Sequence, residues 1–121
     1  MVEGLRNKHA PVIANGAAVS TAINLAGGTL VAIQLPAAWT AADITFEGSF
    51  DGTTWAPVFD DASAEVKIAA ATVAAQVGRI LVSAGVLSKL AALPMFRIVS
   101  GVAGTQVNQG AARSFVVVTK A

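Results

Sequence analysis

Short runs in which apolar and polar residues alternate with period two, separated by turn residues, constrain this chain more than any other feature. A strand sends successive side chains to opposite faces, so such runs build half-buried strands rather than amphipathic helices. In Asp43–Ser49, Ile44 and Phe46 fall on one face and Thr45, Glu47 and Ser49 on the other, which reads as core against water. Val66 and Ile68 alternate with Glu65 and Lys67, and Phe96 and Ile98 flank Arg97. In Thr29–Leu35, the side chains of Val31, Ile33 and Leu35 oppose those of Leu30, Ala32 and Gln34, and Pro36 ends the pairing because it has no N–H to donate. Ser114–Thr119 is apolar on both faces, which marks a central strand or one covered by a partner.

Turn chemistry separates these runs. Asp51-Gly52 is a hairpin signal, because glycine tolerates the positive φ of a tight turn; it joins Ile44–Phe50 to a strand near Thr54–Phe59. Gly27-Gly28, Gly101 with Gly104, and Asn108-Gln109-Gly110 punctuate the remaining runs. Short strands with such spacing predict an all-β fold, an antiparallel β-sandwich or jelly roll. Val86, Leu87, Leu90 and Leu93 lie at helical spacing before Pro94, so at most one short helix is expected, near Ser83–Leu93. Ala69–Val77 is Ala-rich but lies between short strands, and reads as a connection with little regular structure. Residues 1–11 lack periodicity and read as an extended N-terminal arm that orders only against a neighbour, leaving 12–121 as a single sandwich domain.

Composition narrows function chiefly by exclusion. The 121 residues suffice for one core without disulfides. Cysteine is absent and histidine occurs once, which removes thiol nucleophiles, thiolate metal sites and any site with two imidazoles. Eight basic against seven acidic residues give a net charge of +1, so no electrostatic footprint for nucleic acid is present. Ala10–Ala42 carries no charge, yet Asn15, Asn24, Gln34 and Pro36 interrupt it, and no membrane span is expected. The start, Met1–His9, is charged with no apolar run behind it, so no secretory leader is expected either. With 55% hydrophobic and 12% charged residues, the chain reads as a soluble protein that presents apolar patches to another protein.

A search for chemistry finds no catalytic, cofactor-binding or metal-binding set. His9 lies in the basic stretch Arg6-Asn7-Lys8-His9, read here as a solvated or partner-contacting segment. Asp60-Asp61 is the one adjacent acidic pair; neighbours along a chain diverge, so a turn is expected rather than the paired acids of a glycosidase. With Asp51 they match no calcium-loop spacing. Trp55 is expected to pack with Phe46 and Phe59. Exposed at a sandwich end beside Asp51, it would instead stack on a sugar ring. Trp39 is expected to anchor its loop against the sandwich, with its indole N–H partnered.

Two segments carry a resemblance. Leu35–Trp55 (LPAAWTAADITFEGSFDGTTW) and Val107–Arg113 (VNQGAAR), within a likeness running from about Ala14 to Lys120, resemble small virion proteins of tailed bacteriophages and prophages. Ile68–Val77 departs from that pattern in being strongly Ala-rich. The resemblance implies a β-sandwich on the capsid surface, decorating or cementing the shell by binding the major capsid protein and copies of itself, with a trimer as one expected arrangement. It implies no catalytic residues and no cofactor. Arg6, Lys8 and His9 are the expected partner contacts. The stretch Ser49–Trp55 also resembles turns of discoidin-like carbohydrate-binding domains, which makes a host-adhesion module using Asp51 and Trp55 the alternative, beside a tail or neck component.

Overall fold

A computed structural model describes residues 6–82, 85–90 and 93–120. In chain order the elements are β1 (Arg6–His9), β2 (Val12–Ile13), β3 (Ile23–Asn24), β4 (Thr29–Gln34), β5 (Ile44–Ser49), β6 (Ala56–Pro57) and β7 (Lys67–Ile68). Helix α1 (Ala70–Gln76), β8 (Ile80–Leu81), helix α2 (Val86–Leu90), β9 (Met95–Val102), β10 (Thr105–Gln106), β11 (Arg113–Ser114) and β12 (Val116–Lys120) follow. The first sheet has the order β1-β12-β4-β8; the second has β10-β9-β5-β6, with β3 added to β9 and β7 to β5. A short β11-β2 ribbon completes the all-β, antiparallel, sandwich-like fold.

The inward residues of both sheets share one core. Ile33 and Val117 come from the first sheet, and Ile44, Phe46, Phe96 and Ile98 from the second. Phe46 and Phe96 meet edge to face at 6.1 Å, the arrangement that ring quadrupoles favour. The doubly apolar run forms β12, an interior strand between β1 and β4, the first of the two readings its composition allowed. Asp51-Gly52 makes the expected turn, with Gly52 at φ +83°, and returns the chain so that Glu47 faces Pro57. Trp39 anchors its loop: its ring meets Phe115 edge to face at 5.7 Å, and its Nε1 donates to the Ala42 carbonyl at 3.0 Å.

Several expectations are corrected. Ala69–Val77 contains a helix, so the chain has two short helices among the described residues rather than at most one. Ala69 supplies no side-chain cap; Asp43, 27 positions upstream, accepts the Ala70 N–H at 2.7 Å, and Val73 is fully buried. A remote cap and one buried side chain let alanine propensity prevail. The second helix falls where expected, burying Leu87 and Leu90, while Ser83, Ala84, Ala91 and Ala92 lie outside the described residues.

Arg6–His9, assigned to a partner-ordered arm, forms β1 on β12 of the same chain. Unsatisfied edge N–H and C=O groups of β12 supply the template that the sequence's lack of alternation concealed. The rest of that segment, residues 1–5, lies outside the described residues. In β4 and at the residue after it, Leu30, Ile33 and Leu35 are buried while Val31 is half-buried. The register with β12 slips between Val118 and Thr119, where Ala32 and Leu30 are successive partners, and this bulge inverts the alternation. Thr45 and Ser49 are buried rather than water-facing. The Thr45 hydroxyl donates to the Gly101 carbonyl and Ser49 Oγ accepts the Gly52 N–H, each at 2.6 to 2.8 Å.

Candidate functional site

The Asp51 carboxylate is committed to its own turn. Its Oδ1 accepts the N–H groups of Thr53 and Thr54, both at 2.8 Å, and the Ser49 hydroxyl at 3.1 Å. The Thr54 and Thr53 donors hold its carboxyl far below the usual carboxylate range. Asp60 does the same for the next turn, accepting from Ala62 and Ala64 and pairing with Lys89 at 3.1 Å. The Ala64 N–H and then Lys89 lower its pKa. The Asp60-Asp61 pair is thus a turn, as expected, and among the described residues no three His, Asp or Glu side chains converge as a metal site.

Trp55 does not join Phe46 in the core. It is half-buried on the outer surface, with the Arg97 guanidinium 4.4 Å from its ring centre. Arg97 Nε in turn donates to Glu47 Oε1 at 2.7 Å, across the β5–β9 register that makes these residues cross-strand partners. One face of the indole is therefore covered by a fixed cation. Phe59, the other expected packing partner, is 51% exposed.

The three proposed partner contacts divide between two faces. Arg6 and Lys8 lie opposite Lys120 and Val118 and share the outer face of the first sheet; His9 lies opposite the buried Val117 and turns inward. Its Nε2 is buried without a hydrogen-bond partner among the described residues.

Sequence reasoning missed the positions of the exposed large apolar side chains. Phe50 (85% exposed) and Phe59 flank a shallow depression floored by Gly48, Ala56, Pro57 and Leu93. Ile80 (62%) and Val82 (76%) border a groove of about 370 Å³ between β8 and α2 on one side and β7 and α1 on the other, with Ile68 and Leu87 in its lining. The total accessible surface is 6311 Å², against about 6,000 Å² expected for a folded monomer of 12.1 kDa. The core is closed, and the exposed large apolar side chains among the described residues lie at these two patches. No helix among the described residues is long and apolar enough to cross a membrane.

No protein-family model matches the chain, and no curated protein matches it. Among solved structures, the chain is similar to the SPBc2 prophage-derived protein YomS, with 8% sequence identity and a TM-score of 0.49 over 100% of this chain and 99% of that one.

Proposed function

We propose that this chain is a non-enzymatic structural protein of a phage particle, which decorates or cements the capsid shell by binding the major capsid protein and copies of itself. The observation that carries the reading is the pairing of a closed core with two separate exposed apolar patches, Phe50 with Phe59 and Ile80 with Val82. Patches of that kind mark contacts with other proteins. The resemblance of Leu35–Trp55 and Val107–Arg113 to small virion proteins supplies the particle. On a symmetric lattice each weak contact is multiplied by neighbouring copies, so a small domain with few charges suffices.

The test is cosedimentation of the purified chain with empty heads assembled from the major capsid protein of the phage that carries it. Saturable binding and raised heat resistance of the heads are expected. Phe50→Ser with Phe59→Ser, both exposed and outside the core, should weaken binding at least tenfold while leaving the fold intact. Binding to isolated tails but not heads, or to neither, would overturn the shell role.

A further inference from the structure

The net charge of +1 conceals an uneven placement of the acidic side chains. Every acidic side chain among the described residues lies between Asp43 and Glu65, on β5 and the turns around β6 and β7. Asp43, Glu47 and Asp60 are paired with Lys67, Arg97 and Lys89. Asp51, Asp61 and Glu65 have no basic partner among the described residues. The outer face of the first sheet carries basic residues instead. There the register aligns Arg6 with Lys120 and Lys8 with Val118, and places Ala32 and Gln34 opposite Val118 and Val116. No described acidic residue lies on that face, and Lys8 and Lys120 are exposed.

The two regions occupy different edges of the sandwich. In the order β1-β12-β4-β8, β8 shares its groove with β7, so β1 is the edge remote from the acidic β5–β7 region. Each region also combines charge with apolar surface. Half-buried Val116 and Val118 accompany the lysines; Phe50 precedes Asp51, and Phe59 precedes Asp60 and Asp61.

We propose that copies of this chain associate head to tail, the Lys8–Lys120 face of β1 and β12 in one copy docking on the acidic, Phe-bearing turns of the β5–β7 region in the next. This inference rests on the reading of the chain as a lattice protein and names the surface through which its copies meet. Because the complementary patches lie on opposite edges, the contact is heterologous, and repeated use makes a ring or an open row. Exposed charges attract through a screened field, so the contact is salt-sensitive.

The experiment is sedimentation velocity of the full chain from 10 µM to 1 mM in 50 mM and 500 mM NaCl. The weight-average sedimentation coefficient should rise with concentration in low salt, and the association constant should fall about tenfold or more in high salt. Lys8→Glu with Lys120→Glu should abolish the rise. Asp51→Asn with Asp61→Lys should do the same; asparagine preserves the turn acceptor at 51, and the Asp61 side chain is exposed. An equimolar mixture of the two double variants should associate again, because each retains the surface that the other requires. A wild-type chain that is monomeric throughout, association that ignores salt or either double variant, or failure of the mixture to recover would each overturn the proposal. Head binding is scored separately: a chain that binds heads without self-association sinks this inference alone, and the converse sinks the shell role alone.

Discussion

Gln109 and Thr40 exchange two hydrogen bonds across 69 residues of chain: the Thr40 N–H donates to Gln109 Oε1 at 2.8 Å, and Gln109 Nε2 donates to the Thr40 carbonyl at 3.1 Å. The amide is 1% exposed and its remaining capacity is filled, Nε2 reaching Ser100 Oγ at 2.8 Å and Oε1 accepting from Arg113 Nε at 3.0 Å. This buried side chain thus ties the Trp39 loop to β9 and to the entry of β12. Gln109→Ala orphans the Thr40 N–H and removes the Ser100 and Arg113 contacts together. Leaving such groups unsatisfied costs about 2 kcal/mol, with a range of about 1–3. Urea denaturation should show that loss with an unchanged m-value, since the surface exposed on unfolding is the same.

Gly101 should be the least replaceable glycine of the β9–β10 hairpin. Its φ is +94°, and a Cβ there would stand 2.5 Å from the Thr105 carbonyl oxygen and 2.8 Å from the Val107 nitrogen. Both obstacles are backbone, so the hairpin itself must move. Gly104, at φ +81°, has nothing within 4 Å of the same construction and carries only the left-handed backbone penalty. Gly104→Ala should cost about 1 kcal/mol, and Gly101→Ala clearly more, with loss of the Thr105–Val102 pairing. Comparing the two melting temperatures and the amide exchange of Val107 checks the order.

Acid should loosen the two Asp-capped turns. The Thr54 and Thr53 N–H groups lower the Asp51 pKa, and the Ala64 N–H with Lys89 lowers that of Asp60. Because each folded-state value lies below the unfolded value of about 3.9, ionisation favours the folded state. Their contribution is complete above about pH 5, declines as the unfolded carboxyl begins to titrate, and is lost as pH falls through the folded values. Denaturation midpoints should therefore drop below about pH 4 as these two carboxylates protonate. Asp51→Asn, which retains an acceptor but cannot titrate, should make that drop shallower.

How far the sequence reached depended on whether a signal was local. The Ile44/Phe46, Val66/Ile68 and Phe96/Ile98 alternations, the Asp51-Gly52 turn, the interior position of β12 and the anchored Trp39 were all legible, because each depends on residues within a strand or a turn. The bulge in β4 was not, since it is defined by a slip against Val118 and Thr119, a distant strand. Nor was β1, whose four residues show no alternation and pair because β12 offers an edge. Trp55 was misplaced for a related reason: its covering cation, Arg97, becomes a neighbour only through the β5–β9 register. Of the contact residues, the basic character of Arg6 and Lys8 was visible, but the inward turn of His9 was not. Turn chemistry marks Asn108-Gln109-Gly110 as punctuation, but the buried hydrogen bonds of Gln109 depend on Thr40 and Ser100, which only the fold brings near.

The cap of α1 offers the sharpest separation of two electrostatic effects. Asp43 Oδ1 accepts the Ala70 N–H at 2.7 Å, while Oδ2 faces Lys67 Nζ at 3.4 Å. The ion pair is open to water, with the Lys67 side chain 46% exposed, and pairs of that kind contribute about 0–1 kcal/mol. A capping acceptor contributes about 1 kcal/mol, and α1 is a seven-residue helix without a cap of its own. Capping should therefore dominate. Asp43→Ala should cost about 1–2 kcal/mol and release Val73, the one buried residue of α1, from the core. Asp43→Asn keeps an acceptor for Ala70 and should recover most of that loss, whereas Lys67→Met should cost only a few tenths of a kcal/mol. Equal losses in the Asn and Ala variants, read by urea denaturation and by exchange of the Ala70 amide, would instead assign the stability to the charge pair.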